Sequence, residues 1–275
     1  MKRTTRLVAH ACAALALASG AAPAVADDVT FAYKFEPGTT ERHRAKLNQE
    51  VTMGPMAVSN IADMEVTVKC LSGKDGKYAM EMTFDKVDVS MSMGGNTSAN
   101  PMGSQLAGQT IAFTTDANGE VSDIEPAGSF DAWETARQLV EPIIESWYPH
   151  LPNKAVAVGG EWKKEGDKKG SDSGMETDID ASFKFKELRK DKGRDVAVVE
   201  QTMVATVTGK TETPMGSYNV AGTGKGKGDF HFDPTKSRVV RLKGQIDLNM
   251  DMKPDAGGDP LATVITNHVE RQLLE

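Results

Sequence analysis

The sequence predicts a mainly β (α+β) fold: a strongly curved antiparallel sheet or half-barrel with two covering amphipathic helices. Two features of the 275-residue chain predict this class. Apolar and polar residues alternate over long stretches, as on strands with one buried face, and short glycine-containing polar segments separate these stretches. The longest alternating run, Val240 to Met252, far exceeds the ~5–6 residues of an ordinary strand. Because a long strand with one apolar face must twist and curl to cover that face, we expect strong curvature.

Five stretches of the chain show the alternation most clearly. The phase shifts after Phe84, which predicts a β-bulge near Asp85 and Lys86. Polar segments at 72–76 and 190–193 predict hairpin turns. The predicted apolar faces are Val29, Phe31, Tyr33 and Phe35; Ala45, Leu47, Val51 and Met53; Tyr78, Met80, Met82 and Phe84; Ile179, Ala181, Phe183 and Phe185; and Val240, Leu242, Ile246 and Leu248.

Two glycine-rich segments are expected to be irregular. Residues 94–108 have the composition of a long loop. Residues 222–228 alternate glycine with threonine or lysine and resemble a phosphate-binding loop at first sight. They lead into a strand at Phe230 rather than into a helix, so we expect a flexible or bulged strand edge instead.

Two helices are predicted to interrupt the strands. Residues 131–148 carry apolar side chains at helical spacing, and Pro142 should kink or restart this connecting helix. Residues 260–275 follow Asp259 and begin with Pro260, a favourable start for a helix, and their apolar residues also share a helical face. We therefore expect a C-terminal helix over 260–275.

The two halves of the chain, 27–128 and 151–253, resemble each other, and we predict a duplicated β-meander. Matching residues occur in the same order in both halves, with one small insertion or deletion between them. The matched positions are Gly76 with Gly193, Asp116 with Asp233, and the Pro-Met-Gly-Ser segments at 101–104 and 214–217.

Residues 1–26 are predicted to be an export signal. A basic start precedes an apolar stretch too short to span ~30 Å of hydrocarbon, and a small-residue cleavage site ends at Ala26. The mature β-rich chain would comprise residues 27–275, in the periplasm or secreted from a bacterial cell, with no transmembrane segment after cleavage. It keeps one cysteine, Cys70, which falls in phase with an apolar face and is predicted to be a buried thiol.

Charge and motifs argue against several classes of function. The net charge of -7 is unsuited to nucleic acid as a partner, because phosphates are bound by clustered lysine and arginine. The sequence has no nucleophile motif, and its histidines are scattered without metal-ligand spacing. We therefore predict that the protein is not an enzyme and uses neither a cofactor nor a metal.

Methionine is the compositional oddity, with 14 in the chain, and several occur as pairs two residues apart, which share one face of a strand. Three interpretations stay open. Flexible thioethers can fill an ordinary core, adapt to varied apolar ligands, or bind Cu(I) as soft ligands. The candidate ligand-binding residues are Met80, Met82, Met91, Met93, Phe183, Phe185, Met250 and Met252.

Short motifs of turns and strands give the chain a resemblance to known proteins. They are Tyr33-Lys34-Phe35-Glu36-Pro37-Gly38, Asp116-x-x-Gly119-x-Val121, and Leu151-Pro152-Asn153-Lys154 followed by Val158-Gly159-Gly160-Glu161-Trp162. On these residues the chain resembles an uncharacterised family of exported, Met-rich bacterial β-proteins of unknown function, which implies no activity. In architecture it is also similar to the periplasmic lipoprotein-localisation carriers, curved half-barrels whose helices cover an apolar cavity that holds acyl chains.

The leading hypothesis from the sequence is an exported, non-enzymatic protein that binds an apolar ligand in a concavity lined by methionine and phenylalanine. Its partner would be a lipid or a lipoprotein acyl chain. The alternative is a structural or protein-interaction module of the cell envelope, with an envelope protein as its partner and no ligand. Binding of Cu(I) by the methionine pairs is a third hypothesis.

Overall fold

The computed structural model describes residues 28–166, 169–170, 174–213 and 216–274; the predicted export signal lies outside them. The helices are α1 (Pro101–Leu106) and α2 (Trp133–Trp147). The strands are β1 (Val29–Phe31), β2 (Thr40–Met53), β3 (Met56–Lys74), β4 (Lys77–Met93), β5 (Asn96–Ala99), β6 (Thr110–Asp116), β7 (Val121–Pro126), β8 (Lys154–Val156), β9 (Glu161–Lys164), β10 (Lys169–Gly170), β11 (Met175–Asp191), β12 (Arg194–Thr213), β13 (Gly216–Asp233), β14 (Arg238–Pro254) and β15 (Leu261–Leu274).

A single antiparallel sheet dominates the described chain. Thirteen strands belong to it, in the order β10-β11-β12-β13-β14-β15-β2-β3-β4-β6-β7, with β5 paired to β4 and β9 paired to β11. A separate two-stranded pair joins β1 to β8. The prediction of a mainly β fold built on a curved antiparallel sheet is confirmed.

The sheet has one apolar side and one polar side. We call the side that carries Phe84, Phe185 and Phe230 the inner face, because these fully buried rings form the core. Directly opposed residues on neighbouring strands share a face, so the register assigns every strand residue to one side. The outer face is charged and carries cross-strand ion pairs such as Arg44–Asp63, at 2.8 Å.

The sheet curls so strongly that one short segment contacts strands near both of its ends. The ring of Phe31 lies 5.1 Å from that of Phe185 on β11. Two residues later, the backbone N–H of Tyr33 donates to the carbonyl of Ala117, in the turn between β6 and β7. Because β11 and β7 lie at opposite ends of the strand order, the chain around β1 fills the inside of the curl.

Hydrogen bonds and ion pairs join the two sides of the curled sheet. They link residues 118–120 to residues 150–164, and we call this contact the seam. The backbone N–H of Leu151 donates to the carbonyl of Asn118 at 2.9 Å, and the Asn118 amide donates back to Leu151 at 2.8 Å. Nearby, Glu120 pairs with Lys164 of β9 at 2.8 Å and with His150 at 3.2 Å. The hydrogen bond from His150, followed by that from Lys164, lowers the pKa of Glu120 to about 2.

The predicted C-terminal helix over 260–275 is wrong, because this segment forms β15. It pairs with β14 on one side and with β2 on the other, and so joins the two halves of the chain in one sheet. The run Thr263–Thr266 is β-branched throughout, which suits a strand. Hydrogen bonds to two neighbours outweigh the local helix-start signal of Asp259 and Pro260, and the pairing with β2, which is distant in sequence, leaves no local trace.

Other local expectations had mixed outcomes. The bulge is confirmed at Asp85, where the register of β3 with β4 shifts. Helix α2 lies where the connecting helix was expected, and Pro142 is accommodated inside it. Residues 94–108 are not a simple loop, because they contain β5 and α1. Residues 222–228 are not a strand edge, since they lie inside β13 with partners on both sides.

The matched residues of the two halves have similar local geometry. Gly76 and Gly193 both have positive φ, at 76° and 82°, in the turns that lead into β4 and β12. The carboxylates of Asp116 and Asp233 both accept hydrogen bonds from the backbone two residues later, at 2.9 Å in each case. The duplication stays a prediction, with these turns as its clearest structural parallel.

Substituting Glu120 tests the seam through its dependence on pH. The folded-state pKa is depressed from 4.5 to about 2, so the ion pairs stabilise the fold fully above about pH 5 and lose their effect as the pH falls toward 2. Glu120→Gln should lower the free energy of unfolding at pH 7 by less than about 1 kcal/mol, because the carboxylate is half exposed. Urea unfolding should give free energies of unfolding for the variant and the wild type that become equal near pH 2. The control Glu125→Gln, on exposed β7, should show no such convergence.

Candidate functional site

Helix α2, which we call the plug, fills one end of the curled sheet. It leaves almost no space between itself and the inner face. Val140, Ile144 and Trp147 are buried against the inner face. The crevice that remains beside Trp147 has a volume of about 10 Å³, which is less than an acyl chain needs. The expectation of an apolar cavity under the covering helices is therefore not met at this end.

Four of the candidate ligand-binding residues belong to this filled core. Met80, Met82, Phe183 and Phe185 are at most 2% exposed. They lie on the same inner face as the remaining candidates but close to the plug, where β1, β9 and α2 cover the sheet. Packing inside the protein accounts for them without a ligand.

The strands continue well past the plug. We call the part of the sheet on the far side of it, residues 47–62, 89–99, 174–182, 201–213, 216–228, 244–254 and 261–269, the open half. Several apolar side chains on its inner face reach solvent: Met93 is 56% exposed, Met56 41% and Ile179 40%.

Toward the plug, Ile143 and Ser146 of α2 lie beside Leu47 and Val269, and α1 packs on Val89. Farther out, Ala205 is buried, and Val207, Val220 and Met252 are buried in a second apolar cluster within the sheet. The apolar side chains that stay accessible on the inner face lie near the two ends of the row of strands, on β3, β4 and β11.

One row of directly opposed residues shows how continuous this surface is. The row crosses eight strands, roughly 34 Å at ~4.8 Å between strands, and every member is apolar. Its members, in sheet order, are Ile179, Ala205, Gly224, Leu248, Ile265, Val51, Val58 and Met93.

Methionines are concentrated on the inner face of the open half. The candidates Met91, Met93, Met250 and Met252 all lie there, on β4 and β14. Sequence reasoning missed four more that the register brings to the same face: Met53, Met56, Met175 and Met203. Their alternation with polar residues was a usable signal, but nothing in the sequence says which strands are neighbours.

The glycines of β13 shape this surface. Gly222, Gly224, Gly226 and Gly228 all face inward. The space that a side chain would take is filled by neighbouring side chains at the first three and by the backbone of β14 at Gly228. A Cβ on Gly224 would lie 2.3 Å from the Leu248 side chain and 2.9 Å from the backbone oxygen of Asp247. The glycine stripe thus lets β12 and β14 approach closely and sharpens the curl.

A buried arginine marks the boundary between the plug and the open half. Arg271 is 4% exposed and donates from Nη1 to the carbonyl of Trp147, the last residue of α2. Its guanidinium also lies 4.8 Å from the centre of the Trp147 ring. The helix C-terminus and the ring face are both electronegative, so together they stabilise the cation.

A smaller polar network flanks Arg271. His43 contacts the Trp147 ring edge-on at 5.5 Å and lies 3.2 Å from Glu41. Glu41 in turn pairs with Arg238 at 2.8 Å. Burial lowers the pKa of His43, so its ring is neutral at pH 7. Through His43 this network contacts Trp147 of α2.

Neither metal ligands nor a membrane-spanning helix is found in the described parts of the chain. No three His, Cys, Asp or Glu side chains among them are grouped to hold an ion. The methionine pairs of β4 and β14 are separated in the sheet by β15, β2 and β3. None of the described helices is long and apolar enough to cross a membrane. Cys70 is buried as predicted, and burial raises the pKa of its thiol.

No protein-family model and no curated protein sequence matches the chain. A solved structure described as "Lipid-protein interactions in lipovitellin" aligns over 88% of this chain with a TM-score of 0.54 and 14% identity. The chain spans only 26% of that chain. A putative exported protein with a YmcC-like fold from Bacteroides fragilis aligns over 86% of this chain and 97% of its own, with a TM-score of 0.17 and 8% identity. The lipovitellin match shows a shared fold and nothing more.

Removing the buried cation should weaken the attachment of the plug. Arg271→Met leaves the Trp147 carbonyl without its partner, which should lower the free energy of unfolding by about 1–3 kcal/mol. Arg241→Met, on the exposed outer face of the neighbouring strand, should cost less than about 1 kcal/mol. Denaturant unfolding of both variants measures the difference. Equal costs would show that Arg271 does not anchor α2.

The glycine stripe can be tested by adding single methyl groups. Gly224→Ala should destabilise the fold by about 1–3 kcal/mol, because the new Cβ overlaps Leu248 and the β14 backbone. Gly244→Ala is the matched control, since its nearest contacts would be at an ordinary 3.6 Å. Thermal unfolding should separate the two. A stable Gly224→Ala variant would mean that β13 and β14 can move apart at no cost.

Proposed function

We propose that this protein binds the apolar chains of lipids on the inner face of its open half. One observation carries the proposal: apolar side chains on the inner face beyond the plug, on β3, β4 and β11, stay accessible to solvent, Met93 by 56%, Met56 by 41% and Ile179 by 40%. Each 100 Å² of such a surface removed from water contributes about 2.5 kcal/mol. A guest that lies along it therefore gains affinity mainly by burial, with no need for a preformed polar site.

The composition of the surface suits a guest of variable shape. Methionine side chains are unbranched and flexible, so they can repack around chains of different length or saturation. The exposed Met91 and Met93 on β4, with the half-buried Met250 on β14, would contact the guest. Met252 is buried against Val207 and Val220 and would pack within the protein. Met80, Met82, Phe183 and Phe185 would hold the plug in place. The shared fold with the lipovitellin structure, which is described by its lipid–protein interactions, adds support from outside this chain.

The proposed cellular setting follows from the sequence. If residues 1–26 direct export, the protein meets lipids or lipidated proteins in the periplasm or outside the cell, and no reaction is required of it. A lipoprotein acyl chain would meet the same surface as the chain of a free lipid.

Native mass spectrometry of the gently purified protein, beside the same sample denatured, tests the proposal. We expect excess mass of several hundred daltons or more that is lost on denaturation and can be extracted into organic solvent. A bare chain that also fails to take up lipid from vesicles would overturn lipid binding. A stable dimer in its place would favour a protein-interaction module, and an added mass near 63 Da would favour Cu(I).

A charged variant pair locates the surface. Met91→Asp with Met93→Asp places two carboxylates on the inner face at partly exposed positions, so folding should be retained while bound lipid falls more than about tenfold. Ile61→Asp, equally accessible at 38% exposure but on the outer face, should leave lipid binding unchanged. Equal losses in both variants would place the lipid elsewhere.

A further inference from the structure

We infer that the open half selects acyl lipids whose polar group is uncharged, such as the ester and hydroxyl groups of an acylglycerol, and that three side-chain amides bind this group. The inference rests on the proposed function and specifies the class of ligand. The amides belong to Asn60, Gln49 and Asn267, which we call the amide ladder.

The amide ladder crosses three neighbouring strands on the inner face. Gln49 lies directly opposite Asn60 of β3 on one side and Asn267 of β15 on the other. The Asn60 amide donates to Gln49 at 3.4 Å, and the Gln49 amide donates to Asn267 at 3.0 Å. All three residues are half-buried, with apolar neighbours along the same strands, so the ladder is a polar line within an apolar surface.

The ends of the ladder keep unused hydrogen-bonding capacity. Within the described chain, the carbonyl oxygen of Asn60 and the amide nitrogen of Asn267 have no further partner. One end can therefore accept a hydrogen bond and the other can donate, as an ester or hydroxyl requires. Four residues along β15 from Asn267, roughly 13 Å away, the buried hydroxyl of Thr263 also lacks a partner on the same face.

The rest of the inner face excludes charge. Among the described side chains of the open half, those that the register assigns to the inner face include no acid and no base; their polar groups are amides and hydroxyls. An ionised head group laid on this surface would lose water without gaining a counter-ion, which strongly disfavours it. An ester or hydroxyl needs only the hydrogen bonds that the ladder offers.

The length of the surface fits one acyl chain. From the ladder to the end of the open half there are four residues on β2, from Gln49 to Met53, and six on β15, from Asn267 to Leu261. At ~3.3 Å per residue these distances are roughly 13 and 20 Å. A bilayer's hydrocarbon core of ~30 Å holds two opposed layers of acyl chains, or roughly 15 Å each. A lipid with its ester at the ladder would thus lay its chain along the strands to the end of the open half.

The buried cation beyond the ladder does not offer a site for a carboxylate. Nη1 of Arg271 donates to the Trp147 carbonyl and the guanidinium lies over the Trp147 ring, while Nε has no partner within the described chain. The crevice around it holds about 10 Å³, which is less than a carboxylate needs. A free fatty acid would therefore have to leave its charge at the ladder or in solvent.

Binding of two probes with the same chain tests the inference. The full protein, delipidated, is titrated at pH 8 with 1-monooleoylglycerol and with oleic acid, both below their aggregation concentrations, and bound ligand is counted by native mass spectrometry. We expect the monoacylglycerol to bind at least tenfold more tightly. Gln49→Leu should reduce that preference to threefold or less while apolar binding persists. The control variant Asn48→Leu, at the neighbouring position on the outer face, should keep the full preference for the monoacylglycerol.

Each outcome decides a separate point. If oleic acid binds as tightly as the ester, or if Gln49→Leu keeps the full preference, the amide ladder does not select the head group, although lipid binding stands. If neither probe binds the wild type, both the inference and the proposed function fail. A Gln49→Leu protein that does not fold is replaced by Asn60→Leu, for which the same loss of preference is expected.

Discussion

The apolar inner face of this sheet is longer than the segment that covers it, and the other features of the fold follow from that constraint. Its main strands run for 14 to 20 residues, while α2 and the chain around β1 bury only the half nearest the seam. Curling hides part of an apolar face, but thirteen strands in one sheet cannot hide all of it without a second layer. The covered half holds the largest apolar core, and the open half keeps accessible apolar side chains on its inner face.

The covered half works as an anchor because polar groups fix the plug at a few points. Arg271 holds the C-terminus of α2, and the segment from Phe31 to Tyr33 contacts strands near both ends of the sheet. Glu120 and Lys164 add an ion pair where the sides meet. On the open side the glycines of β13 allow the same curl without filling the interior. One sheet is therefore tightly packed at one end and accessible at the other.

This division explains why the methionines have two roles. Near the plug, Met80 and Met82 fill the core like any flexible apolar side chain. On the open half, Met93 and Met56 lie on a surface that is uncharged wherever its inward side chains are described. The same residue type thus serves packing in one place and proposed binding in the other. The amide ladder adds polarity without charge, which would orient the proposed guest more than it attracts it.

The sequence by itself determined the β class, the faces of most strands, the bulge at Asp85 and the connecting helix, because alternation and helical spacing are local patterns. It did not determine that residues 261–274 form a strand, since that outcome depends on hydrogen bonds to β14 and also to β2, which is distant in sequence. For the same reason the sequence could not show that Met80 is buried and Met93 exposed. Both methionines fall on the apolar face of an alternating stretch, and only the position of the plug decides which one is buried. The amide ladder was equally hidden, because Asn60, Gln49 and Asn267 become neighbours only through the register of three strands. The local sequence determines which face of each strand is apolar, because alternation is a local pattern. The tertiary pairing determines which strands are neighbours, and so which side chains share a surface.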